Sequence, residues 1–132
     1  MRRLIGLAAL AAALACGGAN AQQINVKIGV LTDMASLYAD DTGPGSVAAA
    51  KLAVEDFNPA AHGMKVEVIS GDHQNKPDVG ANLARQWYDA DHVDAIFDVP
   101  TSSVALAVSE VTREKNKVFL ISGAASSDLT GA

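Results

Sequence analysis

Residues that could carry chemistry gather in the second half of the chain. Thr101, Ser102 and Ser103 stand together where an apolar run ending at Phe97 gives way, through Pro100, to a helix-like pattern. Ser122, Ser126 and Ser127 follow the next apolar run. Hydroxyls in such places can cap a helix, donate to an anion such as a carboxylate, or act as nucleophiles beside a base. Capping needs one hydroxyl and three are present, so contact with a ligand is the fuller reading. His73 is the candidate base for Ser102, which makes a secreted α/β hydrolase-like enzyme the alternative. Against it, the residues around Ser102 lack the G-x-S-x-G elbow that exposes a hydrolase serine. Non-catalytic binding is therefore preferred.

Other chemistries fit less well. His62, His73 and His92 show no ligand spacing on one element, so no metal site is expected. Gly43, Gly45 and Ala48 satisfy the pattern of a dinucleotide fingerprint, with Asp72 following at a tolerable distance. Residues 32–42 separate those glycines from the preceding strand, whereas the fingerprint needs them in the strand-to-helix turn itself. They read as a helix entry, and no cofactor is expected.

The elements that must position the hydroxyls are legible from hydrophobic period. Residues 24–31, 64–70, 93–97 and 117–122 are short and rich in valine and isoleucine, as strands are. Between them, Val47, Ala50, Val54 and Phe57 mark one helical face. Val79, Leu83 and Trp87 mark a second, and Val104, Ala107, Val108 and Val111 a third. Pro77 and Asp78 suit a first helical turn, and Pro59 ends the first helix. Trp87 is expected in the core, Tyr88 partly exposed, and Asp89, Asp91 and Asp94 on a solvated helix end.

The order β-α-β-α-β-α-β predicts an open α/β fold: a parallel sheet in order 2-1-3-4 with helices on both faces. Ligands bind such sheets outside the carboxyl ends of the strands. Those ends are residues 32–42, 71–76, 98–101 and 123 onward, so Thr101, Ser102 and Ser103 stand at the functional edge and at a helix start. His73 is expected there as a loop residue near the pocket rim or in solvent.

The beginning of the chain indicates where it works. Arg2 and Arg3 precede an apolar run over residues 4–15, and Ala19, Asn20 and Ala21 fit a signal-peptidase site. Residues 1–21 read as a signal peptide and residues 22–132 as the mature part. Lipid attachment at Cys16 is the lesser alternative, since Leu14 stands one place closer to the cysteine than in the usual lipid-attachment motif. Cleavage after Ala21 removes the single cysteine, excluding disulfides and thiol catalysis. It also leaves eight of the ten basic residues against fifteen acidic ones, a charge of −7 that disfavours nucleic acid and anionic membrane as partners.

Several segments in order resemble the type I periplasmic solute-binding proteins of ABC transporters, in their branched-chain amino acid (leucine/isoleucine/valine-binding) branch. KIGVLTDMASLYAD with GPGSVAAAKLAVEDFN is similar to that family's first strand, tyrosine-bearing loop and first helix. DHQNKPDVGANLARQWYDADHVDAIFDVPTSSVALAV resembles its next two units, and KVFLISGAASSDLT its fourth strand and following loop. The resemblance implies a periplasmic, two-lobed protein, monomeric when full length, that closes on a small solute and delivers it to a membrane permease. It also implies that this chain is the opening part of the first lobe and a truncated form. Carried over by motif, the solute's carboxylate would meet Ser102 or Ser103, the backbone of Ala124 and the hydroxyl of Ser126, with Tyr38 as the ligand-facing aromatic. Two departures stand out. The segment 123–128 is one residue shorter than the leucine-binding pattern, which leaves Ser126 and Ser127 as alternatives. Asp98 would repel a carboxylate nearby, so it either faces away or binds an amino or amide group.

Overall fold

A computed structural model describes residues 22–131; the signal-peptide and Cys16 readings lie outside the described residues. Strand β1 (Ile24–Thr32) leads to helix α1 (Gly43–Phe57) and, past a 3₁₀ turn at Pro59–His62, to β2 (Met64–Asp72). Helix α2 (Pro77–Asp89), β3 (Ala95–Asp98), α3 (Ser102–Lys115) and β4 (Val118–Ile121) follow, with a last 3₁₀ turn at Ser127–Leu129. All pairings are parallel and the sheet order is β2-β1-β3-β4, as the sequence pattern predicts. β1 is the pivot: its Leu31 stands opposite Gly71 of β2 on one side and Asp98 of β3 on the other.

Right-handed crossovers send α1 to one face of the sheet and α2 with α3 to the other, because the chain moves outward from β1 in opposite directions. The main core lies on the α2/α3 side, where Leu31, Ile96 and Val99 meet Ala84, Trp87, Val104 and Val108. Two glycines make this packing possible. A Cβ at Gly29 would lie 2.5 Å from Trp87 Cε3 and Cζ3, and one at Gly71 would lie 2.8 Å from Cζ2, so the indole lies flat across two strands that offer no side chain there.

The α1 face is more thinly covered. Val47 is buried, but Phe57, expected on the helix's buried face, is 49% exposed and stacks on His62 with ring centroids 4.6 Å apart. Leu120 of β4 is 51% exposed on the same side of the sheet. Trp87 is buried as expected; Tyr88 corrects the expectation, because it is buried too. Its hydroxyl donates to the Val118 carbonyl at 3.1 Å and lies 3.2 Å from Thr112 Oγ1, tying α2 to α3 and β4. The three aspartates on the expected solvated helix end are also partnered. Asp89 meets Lys115, Asp91 accepts from Gln86, and Asp94 accepts the Lys27 N–H.

Candidate functional site

Strand order places a crevice between the carboxyl ends of β1 and β3, where α1 and α3 depart to opposite faces. Three connections border it: residues 33–42 after β1, residues 99–101 after β3, and residues 122–126 after β4.

The first connection is built on two carboxylates: Asp33, which the sequence reading did not single out, and Asp72, which it weighed only in a dinucleotide fingerprint. Asp33 Oδ1 accepts the Ser36 N–H at 3.0 Å, while Oδ2 accepts the Ser36 hydroxyl at 2.5 Å and the Tyr38 N–H at 3.0 Å. Burial alone would raise the Asp33 pKa, but these donors outweigh it and hold the carboxyl below its usual range. Asp72 Oδ1, at the end of β2, accepts from Met34 N–H at 3.1 Å and Gln74 N–H at 2.8 Å. The Tyr38 carbonyl in turn accepts the Thr42 hydroxyl at 3.0 Å. Tyr38 is thus gripped through both backbone polar groups, with its side chain half-buried. A local signal was available, since an aspartate directly after a strand readily accepts N–H groups from the residues just beyond it.

Gly43 owes its identity to this loop rather than to a phosphate. Its φ is +42°, a Cβ there would lie 2.9 Å from the Asp33 carbonyl oxygen, and its N–H donates to Thr32 Oγ1 at 3.1 Å.

At the start of α3 the three hydroxyls take different places. Thr101 is the N-cap residue but makes no side-chain cap hydrogen bond, and its Oγ1 is buried without a partner. Ser102 Oγ accepts the Ala125 N–H at 3.2 Å, which leaves the hydroxyl proton free to donate. Ser103 is exposed. None of the three caps the helix, so its first N–H groups keep their partial positive charge for another acceptor. Side-chain capping, the alternative use of this cluster, is not made here. The neighbouring loop is fixed by Ser126 Oγ, which accepts the Asp128 N–H at 3.3 Å, and by Gly123, whose Cβ position would be 3.4 Å from Pro100 Cα. Ala124 is half-buried beside this contact, and Ser127, the alternative to Ser126, is exposed. Ser102 and the 123–126 loop are therefore brought together, while Tyr38 stands on a separate connection.

Asp98 ends β3 in an unusual backbone state: φ is 83° there and 55° at Val99. Left-handed geometry at non-glycine residues costs roughly 1–3 kcal/mol each and persists where surroundings enforce it. Here Val99 N–H donates to the Leu31 carbonyl at 2.9 Å, and Ser122 N–H to the Asp98 carbonyl at 3.2 Å. The Asp98 side chain accepts the Ser122 hydroxyl through Oδ1, while Oδ2 is buried without a partner.

His73 is neither at a rim nor solvated, which corrects the expectation. It is 0% exposed, held near the α2/α3 crossing at Gly80, where a Cβ would meet Val104 Cγ1 at 2.5 Å and His73 Cβ at 3.5 Å. Burial lowers its pKa, and the charges of Asp33, Asp72 and Asp98 only partly oppose this. Its Nδ1 accepts the Asn75 N–H at 3.0 Å, and its Nε2 has no partner. Among the described residues no hydrogen bond joins His73 to Ser102, whose oxygen is used by Ala125. A larger groove of about 440 Å³ lies along Lys27, Lys65 and Glu67, but its polar groups include an exposed ion pair at 3.6 Å and none that is buried without a partner.

A family model described as "Periplasmic binding protein" matches residues 25–132. Among solved structures, a branched chain amino acid ABC transporter periplasmic ligand-binding protein from Burkholderia xenovorans is similar at 49% identity and a TM-score of 0.76, over 80% of this chain and 28% of that one. A periplasmic binding protein from Burkholderia mallei is similar at 43% identity and a TM-score of 0.77, over the same shares of 80% and 28%. An ABC transporter substrate-binding protein from Sphaerobacter thermophilus matches at 25% identity and a TM-score of 0.71, again over 80% and 28%. The chain thus spans 28% of the length of each of these relatives. A search of the curated proteins gave no match.

Proposed function

Because the chain belongs to the periplasmic binding protein family, we propose that it forms the opening part of the first lobe of a solute-binding protein serving an ABC importer. The solute is a small molecule bearing a carboxylate, such as an amino acid, and the second partner is a permease in the membrane. The protein reaches the periplasm through a signal peptide at residues 1–21 and acts without catalysis, as a monomer. Its solute contacts on this lobe are Tyr38, Ser102 or Ser103, Ala124 and Ser126.

The observation that carries this reading is the clasp between Ser102 and Ala125 at an uncapped helix start. It sets a hydroxyl proton and the unpaired N–H groups of α3 on one edge of the crevice, a donor array suited to an anion. The name of the relative from Burkholderia xenovorans, at 49% identity, supports an amino acid as the solute. In a full-length protein carrying this chain, binding is measured by calorimetry with L-leucine, 4-methylpentanoate, 4-hydroxybenzoate and benzoate. Ser102→Ala should remove a hydrogen bond to a charged group worth about 1.5–3 kcal/mol, weakening the acids that bind roughly ten- to a hundredfold. Unchanged affinity would mean that the carboxylate sits elsewhere.

A further inference from the structure

Three carboxylates act on His73 from the carboxyl edge of the sheet: Asp33, Asp72 and Asp98. Two are occupied in shaping the first loop, Asp33 through three donors and Asp72 through two. Asp98 differs. It is only 5% exposed, one oxygen is fixed by Ser122, and the other has no partner among the described residues. A buried carboxylate oxygen without a donor is unfavourable unless something supplies one. His73 Nε2 and Thr101 Oγ1, also buried and unpartnered, belong to the same edge, so unmet hydrogen-bonding capacity concentrates there.

The position is that of a reader of ligands. Asp98 stands opposite Leu31 where β1 and β3 end, at the point where the chain's helices part to opposite faces. With Ser122 it stands at the end of a cleft of about 270 Å³ that runs along α1, walled by Ser46, Val30, Phe97 and Leu120. Few polar groups in an apolar cleft orient a small molecule. We propose that Asp98 is a solute-contacting residue, taking through Oδ2 an N–H or O–H donor of the solute. The solute class is then small acids that also carry an ammonium or hydroxyl group. This rests on the carboxylate reading above, and adds to it a role for the carboxylate that ends β3: it accepts a donor and repels acids that lack one.

The test uses the full-length protein and two matched pairs, L-leucine against 4-methylpentanoate and 4-hydroxybenzoate against benzoate. Calorimetry should show a preference of tenfold or more for the donor-bearing member of one pair, and which pair identifies ammonium or hydroxyl. Asp98→Asn, the same shape without the charge, should cut that preference at least fivefold while the donor-lacking acid binds as well or better. Ser122→Ala keeps the carboxylate and releases its anchor, and should reduce the preference by a smaller factor; it serves if the first variant does not fold. A preference that survives both changes, or equal weakening of both acids, overturns the role of Asp98 and leaves the carboxylate reading standing. Ser102→Ala, by contrast, should weaken both members of a pair alike. Failure of all four acids to bind overturns both.

Discussion

Replacing Gly29 by alanine adds one methyl group to β1, and two opposing magnitudes fix the sign of the result. Within a strand, alanine is favoured over glycine by about 0.5–1 kcal/mol, because it loses less backbone freedom on folding. Against this, the new carbon would lie 2.5 Å from two atoms of the Trp87 ring and 3.4 Å from a third. Ordinary carbon contacts fall at roughly 3.5–4.0 Å, so the ring must move by about an ångström. It has little room to do so, because Trp87 is 4% exposed and packed within the core on the α2/α3 side. Overpacking of this kind costs roughly 1–3 kcal/mol, so Gly29→Ala should destabilise by roughly 0–2.5 kcal/mol net, centred on about 1 kcal/mol. Urea unfolding followed by far-UV circular dichroism measures this, and the informative comparison is a Trp87→Leu background. With the indole gone, the same methyl should be neutral or stabilising by up to about 0.5–1 kcal/mol. Equal destabilisation in both backgrounds would refute the account, since the cost would then lie in the strand rather than in the ring.

Acid should destabilise the protein in two stages. His73 has a folded pKa below its free value of 6.5, so the unfolded chain takes up the proton first and stability declines as pH falls below 6.5. Asp33 has a folded pKa below 3.8, so its contribution is complete above that pH and is lost as pH falls through the lower folded value. His73→Gln should flatten the first stage in a urea titration against pH, and Asp33→Asn the second. Asp33→Asn should also cost about 1.5–3 kcal/mol at neutral pH, as donors lose a charged acceptor; retention of both slopes in the two variants would contradict the assignments. For export, the intact mass of the exported protein should begin at Gln22, whereas a diacylated species beginning at Cys16 would replace cleavage with anchoring.

The sheet and its order were readable because parallel strands covered on both sides are apolar runs, and because these alternate with helical periodicity. What periodicity cannot supply is the partner that a face meets. Phe57 falls on the right stripe of α1, yet that helix covers a sparsely packed side of the sheet and its last turn projects into solvent. Tyr88 fails for the opposite reason. α2 touches both the sheet and α3, so its buried arc is wider than one stripe and takes in Gly80, Ala84, Trp87 and Tyr88. His73 looks like an ordinary loop histidine in sequence; its burial comes from the approach of α2 to α3 at Gly80, which no local pattern encodes. The hydroxyl cluster was located correctly at a helix start, but the division of labour within it depends on Ala125, which lies on a later connection.

The clasp between Ser102 and Ala125 also fixes a time in the life of the molecule. β4 joins the sheet through β3, and Ala125 follows β4, so this contact closes only once the crossover from β3 to β4 has formed. Among the described residues, the side-chain hydrogen bonds that shape the loop bearing Tyr38 reach no further along the chain than Asp72. The Tyr38 connection is thus tied within the first 72 residues, whereas the Ser102 connection is tied only by residue 125.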